Sequence, residues 1–269
     1  DCQALVKRTF ADPDLAALPL SSANSINIGR LLPQSVYYVW AASRVADVAA
    51  GEPVVFAVPS GNFGDLMGGM LAMHGGLPVA RFVVATNSND AVPRLLASGT
   101  YEPIVPSRVC LSNAMNVGHP SNLARLVDLY GGSMDERGIM RADPDLARLR
   151  TDVFAVAIDD SRTRATIGEA WRDHGVLLEP HGAVGWAGLA DLWANEPHLR
   201  SHPAICLETA HPAKFPDAVR DATGVEPELP AALLGLEDKT ETITPMALDY
   251  GTFKDWWLSL PLSEGSPTS

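Results

Sequence analysis

Residues 53–86 constrain this chain more than any other stretch. Pro53-Val54-Val55-Phe56-Ala57-Val58-Pro59 is a short, unbroken apolar run, the pattern of a strand buried on both faces of a parallel sheet. Ser60-Gly61-Asn62-Phe63-Gly64-Asp65 follows as a turn, and residues 66–74 read as a helix ended by Gly75-Gly76. Val79-Ala80-Arg81-Phe82-Val83-Val84-Ala85-Thr86 is then the next strand. Parallel strands joined through a helix take a right-handed crossover. The expected fold class is therefore α/β, an open, mostly parallel sheet with helices on both faces.

The flanking pattern agrees. Leu32, Val36, Val39 and Trp40 stand at helical spacing in a helix expected over 31–50, with Pro33 in its first turn and Gly51 as its stop. Further helices are expected at 90–97, 120–130, 160–174, 184–193 and again from Pro212, with a short strand at 204–207. The acidic segment 226–233, which holds Pro227 and Pro230, reads as a surface connection. Asp1-Cys2-Gln3-Ala4-Leu5-Val6 reads as the middle of an amphipathic element, so the chain is expected to lack its beginning. On this reading residues 1–262 are an incomplete α/β region and 263–269 a disordered tail.

Composition narrows the partners. Among 269 residues, 20 Lys and Arg face 32 Asp and Glu, a net charge of −12 that argues against a general nucleic-acid binder. The most lipid-like tract, 66–80, is broken by four glycines and Pro78, so no membrane partner is expected. A small molecule is the expected partner. Cys2, Cys110 and Cys206 are odd in number and far apart, which fits a reducing, cytoplasmic setting and no metal site. His198 and His202 lie between Pro197 and Pro203 and read as an exposed loop.

Four segments could carry chemistry. The 60–65 turn, between a buried strand and a helix N-terminus, can aim several backbone N–H groups at one phosphate; the alternative is an ordinary tight βα turn. It matches neither GxGxxG nor GxxxxGK[ST]. Asn24-Ser25-Ile26-Asn27-Ile28-Gly29-Arg30 is a capped helix start with an exposed Arg, or a polar cluster around one guanidinium. Glu208-Thr209-Ala210-His211-Pro212-Ala213-Lys214-Phe215 follows a strand, where open α/β sheets place ligands, although Pro212 also suits a plain strand-to-helix turn. His181 in Glu179-Pro180-His181 is open to acid–base work or to capping and packing.

Taken together, six segments closely resemble threonine synthase. They are Ser22-Ala23-Asn24-Ser25-Ile26-Asn27-Ile28-Gly29-Arg30-Leu31-Leu32-Pro33-Gln34, Val58-Pro59-Ser60-Gly61-Asn62-Phe63-Gly64-Asp65-Leu66, Ala85-Thr86-Asn87-Ser88-Asn89-Asp90, Leu111-Ser112-Asn113-Ala114-Met115-Asn116-Val117-Gly118, Glu179-Pro180-His181-Gly182-Ala183-Val184 and Thr209-Ala210-His211-Pro212-Ala213-Lys214-Phe215. The resemblance covers residues 2–236 and corresponds to the later, larger part of that enzyme.

It implies the type II pyridoxal-phosphate fold and conversion of O-phospho-L-homoserine and water to L-threonine and phosphate. It also implies that Gly61, Asn62, Phe63, Gly64 and Asp65 hold the phosphate of pyridoxal 5'-phosphate and that Thr209 meets its pyridine nitrogen. Ser25, Arg30 and Asn62 would grip the substrate phosphate. Asn113, Asn116, His181 and His211 match without a role. The family's Schiff-base lysine lies in a Phe-Lys-Asp motif upstream of everything present here. Phe253-Lys254-Asp255 repeats the tripeptide at the wrong end of the chain, which reads as chance. No catalytic residue is assigned, and the upstream segment is expected to be needed. The alternative is an inactive, shortened paralogue that binds a phosphorylated amino acid or a protein partner.

Overall fold

The computed structural model describes residues 2–236 and 238–260; the tail expected to be disordered, 263–269, lies outside them. Its contacts divide the chain into a large unit, Ala23–Ala231, and a small one formed from the described parts of 1–22 and 232–269.

Helix α1 (Cys2–Ala11) belongs to the small unit. The large unit opens with α2 (Ile28–Leu31), capped by the Asn27 side chain, which accepts from the Gly29 N–H at 3.0 Å. A 3-10 turn at Leu32–Gln34, α3 (Ser35–Val45) and a second 3-10 turn at Val48–Ala50 follow, ending on Gly51 at φ 79°. The helix expected over 31–50 is therefore several pieces. Pro33 has no N–H to continue an α-helical ladder and its ring crowds the preceding turn, and Ala46 leaves helical geometry at φ −140°, ψ 154°. Gly51, expected to stop the long helix, instead ends only the second 3-10 turn.

Strand β1 (Val54–Pro59), α4 (Gly64–His74) and β2 (Val79–Thr86) form the anticipated βαβ unit, with Phe56 beside Phe82 in parallel register. Then come α5 (Ala91–Ser98), α6 (Leu123–Leu129), a small antiparallel pair of β3 (Ser133–Met134) and β4 (Met140–Ala142), and α7 (Leu146–Asp152). Strand β5 (Val153–Ala157), which lies outside the expected elements, precedes α8 (Asp160–His174) and α9 (Pro180–Asn195). Strand β6 (Ala204–Cys206) and α10 (Pro216–Thr223) complete the unit. The sheet runs β5-β2-β1-β6, all parallel.

Strand alternation distributes the core. Val54, Phe56 and Val58 pack with Phe82 and Val84 against Tyr38, Ala42, Leu66 and Met70, on the side of α3 and α4. Val55, Ala57 and Val83 face the other way, against Leu189 and Leu192 of α9. The Tyr38 ring lies 4.9 Å from that of Phe56, edge on. A Cβ at Gly69 would come within 2.6 Å of the Tyr38 ring, so glycine there lets α4 seat against it. Each such buried ring contributes about 1.5–3 kcal/mol. Because β1 and β6 are parallel neighbours, the turn after β1 and residues 207–209 after β6 leave the sheet at the same edge.

In the small unit, α11 (Tyr250–Ser259) pairs with α1. The Arg8 guanidinium lies 4.1 Å from the centre of the Tyr250 ring, and the Tyr250 hydroxyl donates to Asp12 Oδ2 at 2.7 Å. Lys254 Nζ bridges Asp12 Oδ2 at 2.9 Å and Asp14 Oδ2 at 2.6 Å. Among the described residues, no helix is long and apolar enough to cross a membrane.

Candidate functional site

The turn after β1 is held open by its own backbone. Phe63 takes φ 63°, ψ 14°, the one non-glycine residue with positive φ among those described, and its ring is buried. A left-handed residue costs about 1–2 kcal/mol, offset here by burial of the ring. The bend starts α4 at Gly64, and no side chain caps that helix. Leu66 is buried and Gly64 has little room: a Cβ there would approach Ser25 Cβ at 3.0 Å and Leu31 Cδ2 at 3.2 Å. A helix start this enclosed and uncapped presents donors and positive potential to an anion.

Asn62 ties the turn to distant segments. Its Nδ2 donates to Ser25 Oγ at 2.8 Å, its Oδ1 accepts from the Ser121 N–H at 2.7 Å and Oγ at 2.9 Å, and its carbonyl accepts from Asn122 Nδ2 at 2.9 Å. Arg125 Nη2 donates to the Ile26 carbonyl at 2.7 Å and so fixes the loop that carries Ser25. Ser25 and Asn62, expected in one subsite, are therefore in direct contact. Arg30 is exposed on α2, with its guanidinium unpaired among the described residues.

Thr209 lines a groove with Val36, Tyr37, Trp40, Ala41, Asp65, Leu207 and Glu208, so it joins Asp65 at the sheet edge. The Tyr38 hydroxyl donates to the Asp65 carbonyl at 3.0 Å and to its Oδ1 at 3.2 Å. Burial raises the Asp65 carboxyl above its ordinary range, against the opposing hydrogen bond from Tyr38.

His181 is buried, and both of its ring nitrogens meet protein groups. Nδ1 lies 2.5 Å from Glu179 Oε2, and Nε2 accepts from the Ala114 N–H at 3.2 Å, which assigns the proton to Nδ1. Glu179, fully buried, caps α9 through the N–H groups of His181 and Gly182, both at 2.9 Å. Burial opposes ionisation of Glu179, but the hydrogen bonds from His181 outweigh it and hold the acid below its usual range. The neighbouring Glu208 carboxyl, desolvated and repelled by Glu179, is raised from 4.5 to about 8. It occupies the space that a Cβ of Gly182 would need.

Asn116 Oδ1 accepts from Asn87 Nδ2 at 3.0 Å and the Cys110 N–H at 3.1 Å, and Asn113 opens the 3-10 turn Asn113–Met115. His211 Nδ1 caps the next 3-10 turn by accepting from the Ala213 N–H at 3.1 Å. His198 lies in the 3-10 turn Pro197–Ser201, and His202 follows it. Lys214 borders a different groove, with Leu111, Arg164, Phe215 and Asp217. Ser121, Asn122, Arg125 and Tyr38 were missed from the sequence. Only Tyr38 carried a signal there, as an aromatic at helical spacing.

A family model described as threonine synthase, C-terminal, matches residues 182–256. The threonine synthase of Serratia marcescens is 38% identical over 261 residues, covering 97% of this chain and 56% of that protein. The crystal structure of threonine synthase from Escherichia coli is similar at TM-score 0.81 and 37% identity, over 96% of this chain and 55% of that one. A pyridoxal-phosphate-bound threonine synthase from Brucella melitensis gives TM-score 0.78 at 36% identity, over 95% of this chain and 56% of that one. The chain spans about half the length of the curated relatives it matches. The open, mostly parallel α/β sheet expected from the resemblance is the one found, and the chain belongs to the threonine synthase family, corresponding to its later part.

Proposed function

We propose that this chain supplies the phosphate-binding part of a pyridoxal-phosphate enzyme that converts O-phospho-L-homoserine and water to L-threonine and phosphate, in a cytoplasmic setting. The observation that carries the reading is the enclosed, uncapped start of α4 at Gly64, reached through the strained Phe63 turn. These features fit a phosphate dianion, and Asp65 and Thr209 border the adjoining groove. In this reading Gly61, Asn62, Phe63, Gly64 and Asp65 hold the cofactor phosphate. Thr209 offers a neutral hydroxyl to the pyridine nitrogen, which leaves that nitrogen's protonation unforced. When bound, the cofactor supplies an electron sink for removing protons next to the substrate amino group. Arg30 gives its unpaired guanidinium fork to the substrate phosphate, while Ser25 and Asn62, already bonded to each other, orient it.

An amine to hold the cofactor comes from an upstream segment. Lys254 is unsuited to that task, since bonds to Asp14 and Asp12 hold its ammonium well above the ordinary lysine range, and a nucleophilic amine must be neutral. The apolar side chains of Ile28, Leu32, Val36, Tyr37, Val39 and Trp40 are 48–65% exposed, a patch of the kind that marks an interface. The upstream segment is its proposed cover. A shortened paralogue that binds a phosphorylated amino acid without turnover draws on the same pairing of Lys254. The two readings part on reconstitution.

The test mixes the chain with the part of the Serratia marcescens threonine synthase that precedes the matched region. Threonine formation is expected only in the mixture. Arg30→Ala is expected to raise the KM for O-phosphohomoserine while cofactor absorbance stays unchanged. Threonine made by the chain alone would overturn the reading, as would a borohydride-fixed cofactor on Lys254 or Lys214. No activity in a mixture that forms a stable complex would favour the paralogue.

A further inference from the structure

Three of the six family-like segments meet at one buried imidazole, and a fourth packs behind it. His181 is 3% exposed, and three contacts hold it. Nδ1 donates to Glu179, Nε2 accepts from the Ala114 N–H, and the Phe215 ring meets it edge on with centres 5.2 Å apart. The Ala114–Met115 backbone in turn lies directly behind Gly61. A Cβ at Gly61 would come within 2.8 Å of Met115 Cα and 3.0 Å of the Ala114 carbonyl oxygen. Both are backbone atoms, which cannot swing aside as a flexible side chain can.

The contacts form a continuous line: the cap of α9, the His181 ring, the 3-10 turn Asn113–Met115, and the Gly61 turn that starts α4. The two ends of the 3-10 segment are pinned separately, through Asn87 Nδ2 to Ser112 Oγ and its carbonyl, each at 3.2 Å, and to Asn116 Oδ1 at 3.0 Å. Between these flanks Met115 is also held by its N–H bond to the Ser112 carbonyl and by its buried side chain, and Nε2 of His181 takes the Ala114 N–H.

We propose that His181 is a positioning residue: as the Nδ1–H tautomer, locked by Glu179, it holds the Ala114–Met115 backbone against Gly61 and thereby sets the backbone amides at the start of α4 for phosphate. The inference rests on the phosphate reading above and deepens it. His181 does not touch the ligand. Its effect is transmitted by one hydrogen bond and one close backbone contact.

The experiment uses the whole chain, with inorganic phosphate as the probe and amide hydrogen exchange as a second readout. His181→Phe keeps a ring but removes both hydrogen bonds; His181→Gln can return an acceptor to the Ala114 N–H. In His181→Phe, exchange at residues 61–66 and 113–116 is expected to speed up about tenfold or more, as loss of a buried hydrogen bond implies, with β1 and β2 unchanged. Phosphate affinity should fall by a similar factor and recover in part in His181→Gln. Faster exchange at 113–116 with no change at 61–66 would overturn the proposal, as would equal phosphate affinity in parent and variant. If the parent binds no phosphate while exchange at 61–66 still follows His181, the phosphate reading fails and the mechanical link stands. Should His181→Phe not fold, the link is read in reverse. Gly61→Ala, pressing on Met115, should shift the nitrogen resonance of the His181 Nδ1–H, and an unmoved resonance would refute the link.

Discussion

On its inner side, the turn after β1 has Asn62 bonded to Ser25, Ser121 and Asn122, and Gly61 seated on the backbone of Met115. On its outer side, α2 and α3 turn Ile28, Leu32, Val36, Tyr37, Val39 and Trp40 to the surface. The inner side has its polar groups paired and its backbone close-packed, so a change there is paid for at once. The outer side spends apolar area on solvent, which is stable only because the Tyr38 face of the same helix is buried. The contrast separates what this chain does for itself from what, on the proposed function, it does for a partner segment.

The largest effect should come from the inner side. Gly61→Ala forces a Cβ onto the Met115 and Ala114 backbone, and overpacking of this kind costs about 1–3 kcal/mol. A denaturant midpoint shifted by less than the measurement error would show the two sides to be less different than described.

A smaller, pH-dependent effect should come from Glu208. Its neighbours are Glu179, which raises it, and the Cys206 thiol, which burial and Glu208 push up to about 12. With its folded value raised from 4.5 to about 8, Glu208 contributes no penalty below the unfolded value, where both states are protonated. As pH climbs through the folded value, the unfolded state has already released the proton and the native state must give it up against Glu179. Stability should therefore decline between about pH 5 and 8, and Glu208→Gln should flatten that decline. Because one side of Glu208 is exposed to solvent, the size of the change should be modest. Melting curves of both proteins across this range that stay parallel would remove Glu208 as the cause.

The smallest effect on the isolated chain should come from the outer side. Trp40→Ser removes an exposed ring and should change stability by no more than about 0.5 kcal/mol, while weakening assembly with the upstream segment. Unchanged reconstitution would leave the apolar face without its proposed cover.

What could be read in the sequence follows the same division. The β1–α4–β2 unit was legible nearly to the residue, because a continuous apolar run, a glycine-rich turn and Gly75-Gly76 mark every boundary. Strand β5 was not, since Val153 follows α7 directly, with no glycine or proline between them to signal a change of period. The break of α2 from α3 was hidden because Pro33 is as compatible with a first turn as with a helix end. At the candidate site, the 61–65 turn and Thr209 were legible as segments. Ser121, Asn122 and Arg125 were not, because their contacts with Asn62 and Ile26 span 59 to 99 residues and follow no period. The place of His181 was open until its two ring nitrogens had partners.

Phe63 has a bearing on attempts to make a more robust version of this protein. Its backbone prefers glycine and its buried ring opposes glycine, so a redesign scored on dihedral strain and one scored on packing would choose opposite residues at the same position. Phe63→Gly would also return conformational freedom to the unfolded chain, adding a further cost to the lost ring. Stabilising substitutions are better sought away from this turn, where backbone and packing preferences agree. Directed evolution on thermal tolerance alone should leave Phe63 in place.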